Sequence, residues 1–468
     1  LDLSQNNLQG PYPKWLAEMG LGSVILSDNN LTGSLPPVLF ESLNLSVLAL
    51  SRNNLSGELP DNFGNANEIM ILMLAENDFS GRIPESISQI YRLLLLDLSG
   101  NRFTGTVPAF DPDGLLAYVD FSYNQLSGDI PVSFSTETMI LSLGSNKFSG
   151  RLPRNLTNLS KLQQLDLHDN LIAGELPAFL SELSSLQILN LRNNTFKGPL
   201  PAGIHNLTDL RILDVSSNNL SGEIPAELGN LTGMIETPTT FAVLSGLFTF
   251  PIEFNDLLVT WKSSKQGLPS SSLDIYSLLD VSNNQLSGQI PDSIGSLKGL
   301  KLLNLSHNHF TGDIPKDFGN LDSIESLDMS HNNLSGSIPS TLSKLQQLSI
   351  LDVSNNHLQG PIPRGRQMDT MDDPNYFANN SGLCGMQIRV PCSTDQQQPT
   401  TTEPPQDEDW FSWEAAGIGY SVGFFVTVAI MFITGYTVWR PSSPKPHRSQ
   451  TMGRSSVASN RIPSRMTR

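Results

Sequence analysis

Leu213-Asp214-Val215-Ser216-Ser217-Asn218-Asn219-Leu220-Ser221-Gly222-Glu223-Ile224-Pro225 is the stretch that decides the fold. Leu213 and Val215, with polar Asp214 between them, alternate as a short strand with one face inward. Asn218 falls where the chain leaves the strand. Its amide both donates and accepts, so it suits a turn whose backbone groups need partners. Gly222 permits positive φ or close backbone approach, and Pro225 stops the segment and limits any helix there.

Working outward, the same line recurs fourteen times as L-x-L-x-x-N-x-L-x-G-x-I-P. It is anchored by Asn6, Asn29, Asn53, Asn77, Asn101, Asn124, Asn146, Asn170, Asn194, Asn218, Asn284, Asn308, Asn332 and Asn356. The spacing is 22 to 24 residues, apart from one jump of 66 between Asn218 and Asn284. A fixed period of this length predicts a leucine-rich-repeat solenoid, an α/β-type superhelical repeat with short parallel strands on its concave face. No single repeat buries its own apolar residues, so neighbours must stack. The expectation is a long binding surface rather than a pocket enzyme. No Ser-His-Asp set, metal cluster or phosphate loop has credible spacing, and no catalytic, cofactor or metal site is expected. His307, His309 and His331 gather late in the chain but fall at variable surface positions.

The residue between the two apolar strand positions points to the concave side and is often acidic: Asp2, Asp97, Asp120, Asp166, Asp214, Asp280, Asp328 and Asp352. Two readings stand. The column is a stripe that attracts a basic ligand, or Asp is simply the usual solvated residue there, which is the plainer account. Charge is uneven overall. All 45 acidic residues precede residue 440 against 21 Lys+Arg, giving −24, and the last 29 residues carry seven basic residues and no acid. So acidic a body disfavours nucleic acid as a partner.

The cysteines are two, Cys384 and Cys392, just after the last repeat. Their closeness favours a disulfide-pinned terminal cap over a pair of free thiols. Twelve N-x-S/T sequons occur, at Asn30, Asn44, Asn54, Asn155, Asn158, Asn193, Asn206, Asn219, Asn230, Asn304, Asn333 and Asn379. Some are by-products of the N-N-L-S-G phrase; Asn44, Asn155, Asn158, Asn206 and Asn230 lie outside it. With the cysteine pair they predict an extracellular compartment.

Residues 415–439 form a run without charge, AAGIGYSVGFFVTVAIMFITGYTVW. As a helix it reaches about 37 Å, enough for a bilayer core of roughly 30 Å. Asp407, Glu408, Asp409 and Glu414 precede it, and Arg440, Lys445, Arg448, Arg454, Arg461, Arg465 and Arg468 follow. The positive-inside rule then predicts a single-pass plasma-membrane protein with its repeats outside. Ala415, Gly419 and Gly423 repeat every four residues. Either they let another transmembrane helix pack closely, or glycine is merely frequent in such helices. The basic tail reads either as a segment that meets anionic lipid headgroups or, the plainer account, as solvated disordered chain.

The ladder breaks for about 42 residues. Met234 still fits the start of a repeat, so the insertion falls within 234–275, rich in Phe241, Phe248, Phe250, Phe254 and Trp261 before polar Lys262-Ser263-Ser264-Lys265-Gln266-Gly267. Insertions in solenoids usually lie on one face, often the binding face. A flap that only packs its aromatics on the repeats is equally consistent. The divisions are therefore 1–233 (ten repeats), 234–275 (insertion), 276–383 (four repeats), 384–392 (cap), 393–414 (acidic linker), 415–439 (span) and 440–468 (tail).

LDVSNNQLSGQIP-type repeats, an insertion four repeats before the end, ANNSGLCG with a following Cys, an acidic juxtamembrane stretch, one span and a short basic tail resemble the plant leucine-rich-repeat receptor-like proteins. The resemblance covers essentially the whole chain, and LLVTWKSSKQGLPSSSLDIYSLLDVSNN resembles that family's junction between insertion and repeat. It implies a kinase-less surface receptor in defence or development that binds an extracellular peptide, protein or small ligand. It also implies an adaptor receptor-like kinase held through the span at Gly419 and Gly423 and the acidic patch at Asp407, Glu408 and Asp409. A short-ectodomain co-receptor kinase is implied near the repeats after the insertion. The chain departs from the family in beginning inside a repeat, with no signal peptide or N-terminal cap, and reads as the C-terminal part of a longer protein.

His168, Asn190 and Arg192 depart from the LDLS consensus on the concave strands and are the candidates for ligand contact, with Trp261 and Lys262 of the insertion. Solvated strand faces explain the first three equally well. The alternative function is an apoplastic inhibitor or decoy of microbial enzymes, against which the membrane anchor argues.

Overall fold

A computed structural model of the chain describes residues 1–235, 257–261, 264–268, 275–365 and 367–392. Lys262, most of the insertion, the acidic linker, the 415–439 span and the tail lie outside the described residues. Among the described residues no helix is long and apolar enough to cross a membrane.

Among these residues the alternating L-x-L segments form thirteen parallel strands in one continuous sheet, from Ser23–Ile25 to Ile350–Asp352. Each repeat adds one strand in the same register, so Leu189 lies beside Leu213 and Asn190 beside Asp214. The inward leucines cannot reach water once repeats stack. Leu213, Val215, Leu220, Ile224 and Leu228 are buried in one core that runs the length of the solenoid.

Asn218 shows how the turn is closed. Its Nδ2 donates to the carbonyls of Val215 (3.1 Å) and Ser216 (3.0 Å) in its own repeat and Leu191 (3.0 Å) in the previous one. Its Oδ1 accepts from the backbone N–H of Phe196 at 3.1 Å. One buried amide thus satisfies four backbone groups that the turn would otherwise leave without partners. The ladder has a rung beyond the fourteen of the repeat pattern: Asn380 makes the same contacts, to Val353, Phe377, Ala378 and Leu358. It sits in the ANNSGLCG phrase, which lacks the preceding L-x-L and so hides its register.

Two features differ from the sequence expectation. The N-L-S-G segments are themselves strands, forming lateral parallel sheets of seven and six strands among the described residues; Asn219–Gly222 is one, with Gly222 at φ +85°. And the convex connectors are not α-helical. Pro225, at φ −60°, caps a five-residue 3-10 helix, Ala226–Asn230, rather than ending helical structure. Proline's fixed φ suits the entry to a helix, and the few residues before the next repeat hold a 3-10 turn but not a longer α-helix. Lys14–Glu18 is the one α-helix among the described residues.

The insertion leaves the solenoid without disturbing it. Strand Ile212–Asp214 pairs directly with Leu278–Asp280, and Asn284 donates back to Val215 at 3.0 Å while accepting from Leu220 at 2.9 Å. Met234 belongs to the solenoid side of this boundary, fully buried in the core. Within the insertion Leu257–Trp261 and Ser264–Leu268 pair as an antiparallel hairpin. At the other end, Gly382–Cys384 pairs with Gln359–Pro361, and Cys384 is bonded to Cys392 with Cα atoms 5.2 Å apart.

Candidate ligand-binding site

The concave sheet presents two columns of side chains. One begins each strand (Ile188, Ile212, Leu278, Leu302, Ser326) and the other ends it (Asn190, Asp214, Asp280, Asn304, Asp328).

Most of the acidic column is neither a free stripe nor simply solvated, although Asp2 is exposed and Asp328 and Asp352 are only half-buried. Asp214 Oδ1 accepts from the N–H (3.0 Å) and the hydroxyl (2.6 Å) of Ser216, and Asp97 with Ser99, Asp120 with Ser122 and Asp328 with Ser330 repeat the clamp. The D-x-S spacing is therefore a local turn device. Asp97, Asp120, Asp166, Asp214 and Asp280 are buried. Parallel register sets Asp280 beside Asp214 and Asp97 beside Asp120. Burial, and then the charge of Asp214, push the Asp280 carboxyl up to about 8; burial and Asp120 push Asp97 up to about 7. Loss of hydration disfavours the charged form, and a like charge alongside adds to it.

His168 replaces the clamp serine. Its Nδ1 lies 2.7 Å from Asp166 Oδ1, and its Nε2 is 3.3 Å from both Tyr123 Oη and Ser145 Oγ. The ring occupies the space left by Gly144, and only 1 % of the residue is exposed. Burial works against its protonation, but the charge and hydrogen bond of Asp166 outweigh it and raise the pKa above its ordinary value. His168 thus organises neighbouring strands and offers no open face to a ligand. Asn190 is equally buried: its Oδ1 accepts from the Arg192 N–H, and its Nδ2 has no partner among the described residues.

Arg192 is the one of these three that lines a cavity. Its Nη2 is 3.3 Å from Asp169 Oδ2, and its buried Nε has no partner among the described residues. The cavity, of about 490 Å³, is lined by Asp169, Arg192, Asn193, Ser216, Ser217, Ser282, Leu302, Asn304, Ser306, His307, Ser326, Asp328 and Ile350. Its walls carry serine hydroxyls and carboxylates as acceptors, and Arg192 and Asn193 as donors. His307 stacks on His331 with ring centroids 4.1 Å apart, and its pKa is lowered by burial and by His331.

The insertion reaches this region. Leu268 packs against Ile188, Ile212, Leu278 and Leu302 on the concave face, with Tyr276 partly buried beside them. Trp261 ends the first hairpin strand; nothing of its side chain is described. Sequence reasoning passed over the serines, Asp169, Leu302 and Leu268. The serines fall at the consensus position of the repeat, where nothing in the sequence sets them apart. Leu268 carries no signal beyond closing an alternating segment.

Eleven of the sequon asparagines are exposed. Asn304 differs: it is 8 % exposed, and its Nδ2 donates to Asp280 Oδ2 at 3.1 Å within the concave column.

The chain matches the family described as Leucine rich repeat over residues 277–334, and that described as Leucine Rich Repeat over 44–66, 161–183, 185–207 and 209–231. It is 62% identical over 194 residues to Receptor-like protein 46 of Arabidopsis thaliana, covering 39% of this chain and 23% of that one. Its homologues are plant receptor-like proteins. To Receptor-like protein 50 of the same plant it is 58% identical over 174 residues, 37% of its length and 19% of the relative's. It thus spans about a fifth of these two relatives. Among solved structures it resembles the Arabidopsis receptor kinase HAESA in complex with the peptide hormone IDA and the co-receptor SERK1, with TM-score 0.59, 30% identity, and coverage of 82% of this chain and 66% of that one. It also resembles the plant peptide hormone receptor RGFR1 in complex with RGF2, with TM-score 0.54, 28% identity, and coverage of 77% and 63%.

Proposed function

We propose that this receptor-like chain is a non-enzymatic plasma-membrane receptor that binds an extracellular peptide along its concave sheet. The observation that carries the reading is the cavity at Arg192, which offers donors and acceptors side by side next to the docked insertion. A peptide main chain presents the complementary alternation of C=O and N–H. The likeness to two peptide-hormone receptors supports a peptide over a small ligand.

In this reading residues 415–439 span the membrane once, with the repeats outside. An adaptor receptor-like kinase packs on Ala415, Gly419 and Gly423 and meets Asp407, Glu408 and Asp409. A short-ectodomain co-receptor kinase joins near the repeats after the insertion, and the signal serves defence or development.

The test is to purify the tagged chain from plant membranes, identify bound apoplastic peptides and kinases by mass spectrometry, and repeat with Arg192→Gln and with Gly419→Leu/Gly423→Leu. Peptide lost in the first variant and kinase lost in the second are the expected results. Peptide retained at full level in Arg192→Gln removes the cavity from the site. Recovery of a microbial enzyme with no kinase replaces the receptor by an inhibitor.

A further inference from the structure

We propose that the place now filled by Leu268 is an anchor subsite for an aliphatic side chain of the ligand, occupied in cis by the insertion until a peptide takes it. The inference rests on the cavity being a peptide site and adds which side chain that peptide must carry.

Three observations combine. First, the seat is separate from the core: Ile188, Ile212, Leu278 and Leu302 begin concave strands and form their own cluster with Leu268. Second, the occupant places a buried aliphatic side chain in the seat. Leu268 is 4 % exposed, whereas Gln266 and Gly267 just before it are exposed. The seat is thus seen holding an aliphatic residue of an extended segment, the form in which a peptide would present one. Third, Leu302 belongs both to the seat and to the wall of the Arg192 cavity, so the two adjoin. An extended peptide rising about 3.3 Å per residue reaches from polar cavity to apolar seat within a few residues.

Competition follows. A segment tethered beside its seat acts at an effective concentration of about millimolar. A peptide in trans therefore binds more weakly than the open seat allows, by the fraction of time the seat is free. Truncating Leu268 removes the competitor and leaves the seat intact.

The probe is a labelled synthetic peptide with the sequence of residues 257–268, LLVTWKSSKQGL, alongside the same peptide ending in serine. Each is titrated by fluorescence anisotropy against the purified full chain as wild type, Leu268→Ser, Leu268→Ala and Leu268→Met. Thermal melting secures the fold of each, and Leu268→Ala carries the comparison if Leu268→Ser melts early. The expected result is at least tenfold tighter binding of the leucine peptide by the truncated chains than by wild type or Leu268→Met, with no gain for the serine peptide. Equal binding by all four chains, binding blind to the peptide's last residue, or no binding by the truncated chains each overturns the subsite. Arg192-dependent capture of apoplastic peptides, read separately, shows whether the cavity survives that result.

Discussion

The imidazole of His168 lies over Gly144 of the preceding repeat, in the volume that any side chain at residue 144 would fill. The two residues are one substitution in two parts. Where other repeats carry an Asp-x-Ser clamp, this pair exchanges a hydroxyl for a ring and removes the neighbour that would collide with it.

Gly144→Ser is therefore expected to destabilise the chain by about 1–3 kcal/mol through overpacking. Adding His168→Ser should recover most of that loss by restoring the clamp with Asp166. Thermal melting of the two single variants and the double variant measures the coupling; additive losses would show that the ring and the glycine are independent.

Asn284 stitches the solenoid across the insertion, donating to Val215, Val281 and Ser282 and accepting from Leu220. Asn284→Ala leaves four buried backbone groups without partners, at an expected cost of about 2–4 kcal/mol. Chemical denaturation should show a lower midpoint, with repeats on either side of the insertion losing amide protection together. An unchanged midpoint would mean that the strand pairing alone closes the gap.

Stability is expected to fall as the solution turns alkaline. The folded Asp280 carboxyl titrates near 8, above its unfolded value of about 4. A raised carboxyl favours the fold fully below the unfolded value, and that contribution is lost as pH rises through the folded one. Asp97, near 7, acts in the same direction. Melting temperature should therefore drop between pH 5 and pH 8.5, and Asp280→Asn should flatten the drop by an amount on the order of 2 kcal/mol. A variant with the wild-type slope would exclude Asp280 as its source.

Burial divides the sequons. Peptide mapping of the chain expressed in plant cells should find Asn304 unmodified, since its amide nitrogen is committed to Asp280 inside the concave column. Asn219, at the exposed start of a lateral strand, is the positive control. A glycan on Asn304 would require that column to be open.

The solenoid was legible from the fourteenfold recurrence of one phrase, because L-x-L and Asn answer to local physics, a strand with one wet face and a turn with unmet carbonyls. The lateral strands of N-L-S-G were not, because their pairing partners lie a full repeat away and their serines show no apolar alternation. For the site, Arg192 stands out as a departure from consensus, and the structure puts it on the wall of a cavity. His168 stood out equally, yet its ring turns inward, since a sequence does not reveal that the glycine 24 positions earlier lies beneath it. Leu268 was invisible for the opposite reason: a leucine ending an alternating segment looks ordinary until the fold shows four aliphatic side chains waiting for it.

The direct pairing of Ile212–Asp214 with Leu278–Asp280 means that the scaffold does not register what leaves the chain after one strand and returns before the next. Between those two points the sequence is free to lengthen, shorten or change its chemistry without shifting the phase of a single later repeat. The surface offered by that stretch can then change while the architecture is kept whole, and the repeats on either side need no new solution to the folding problem.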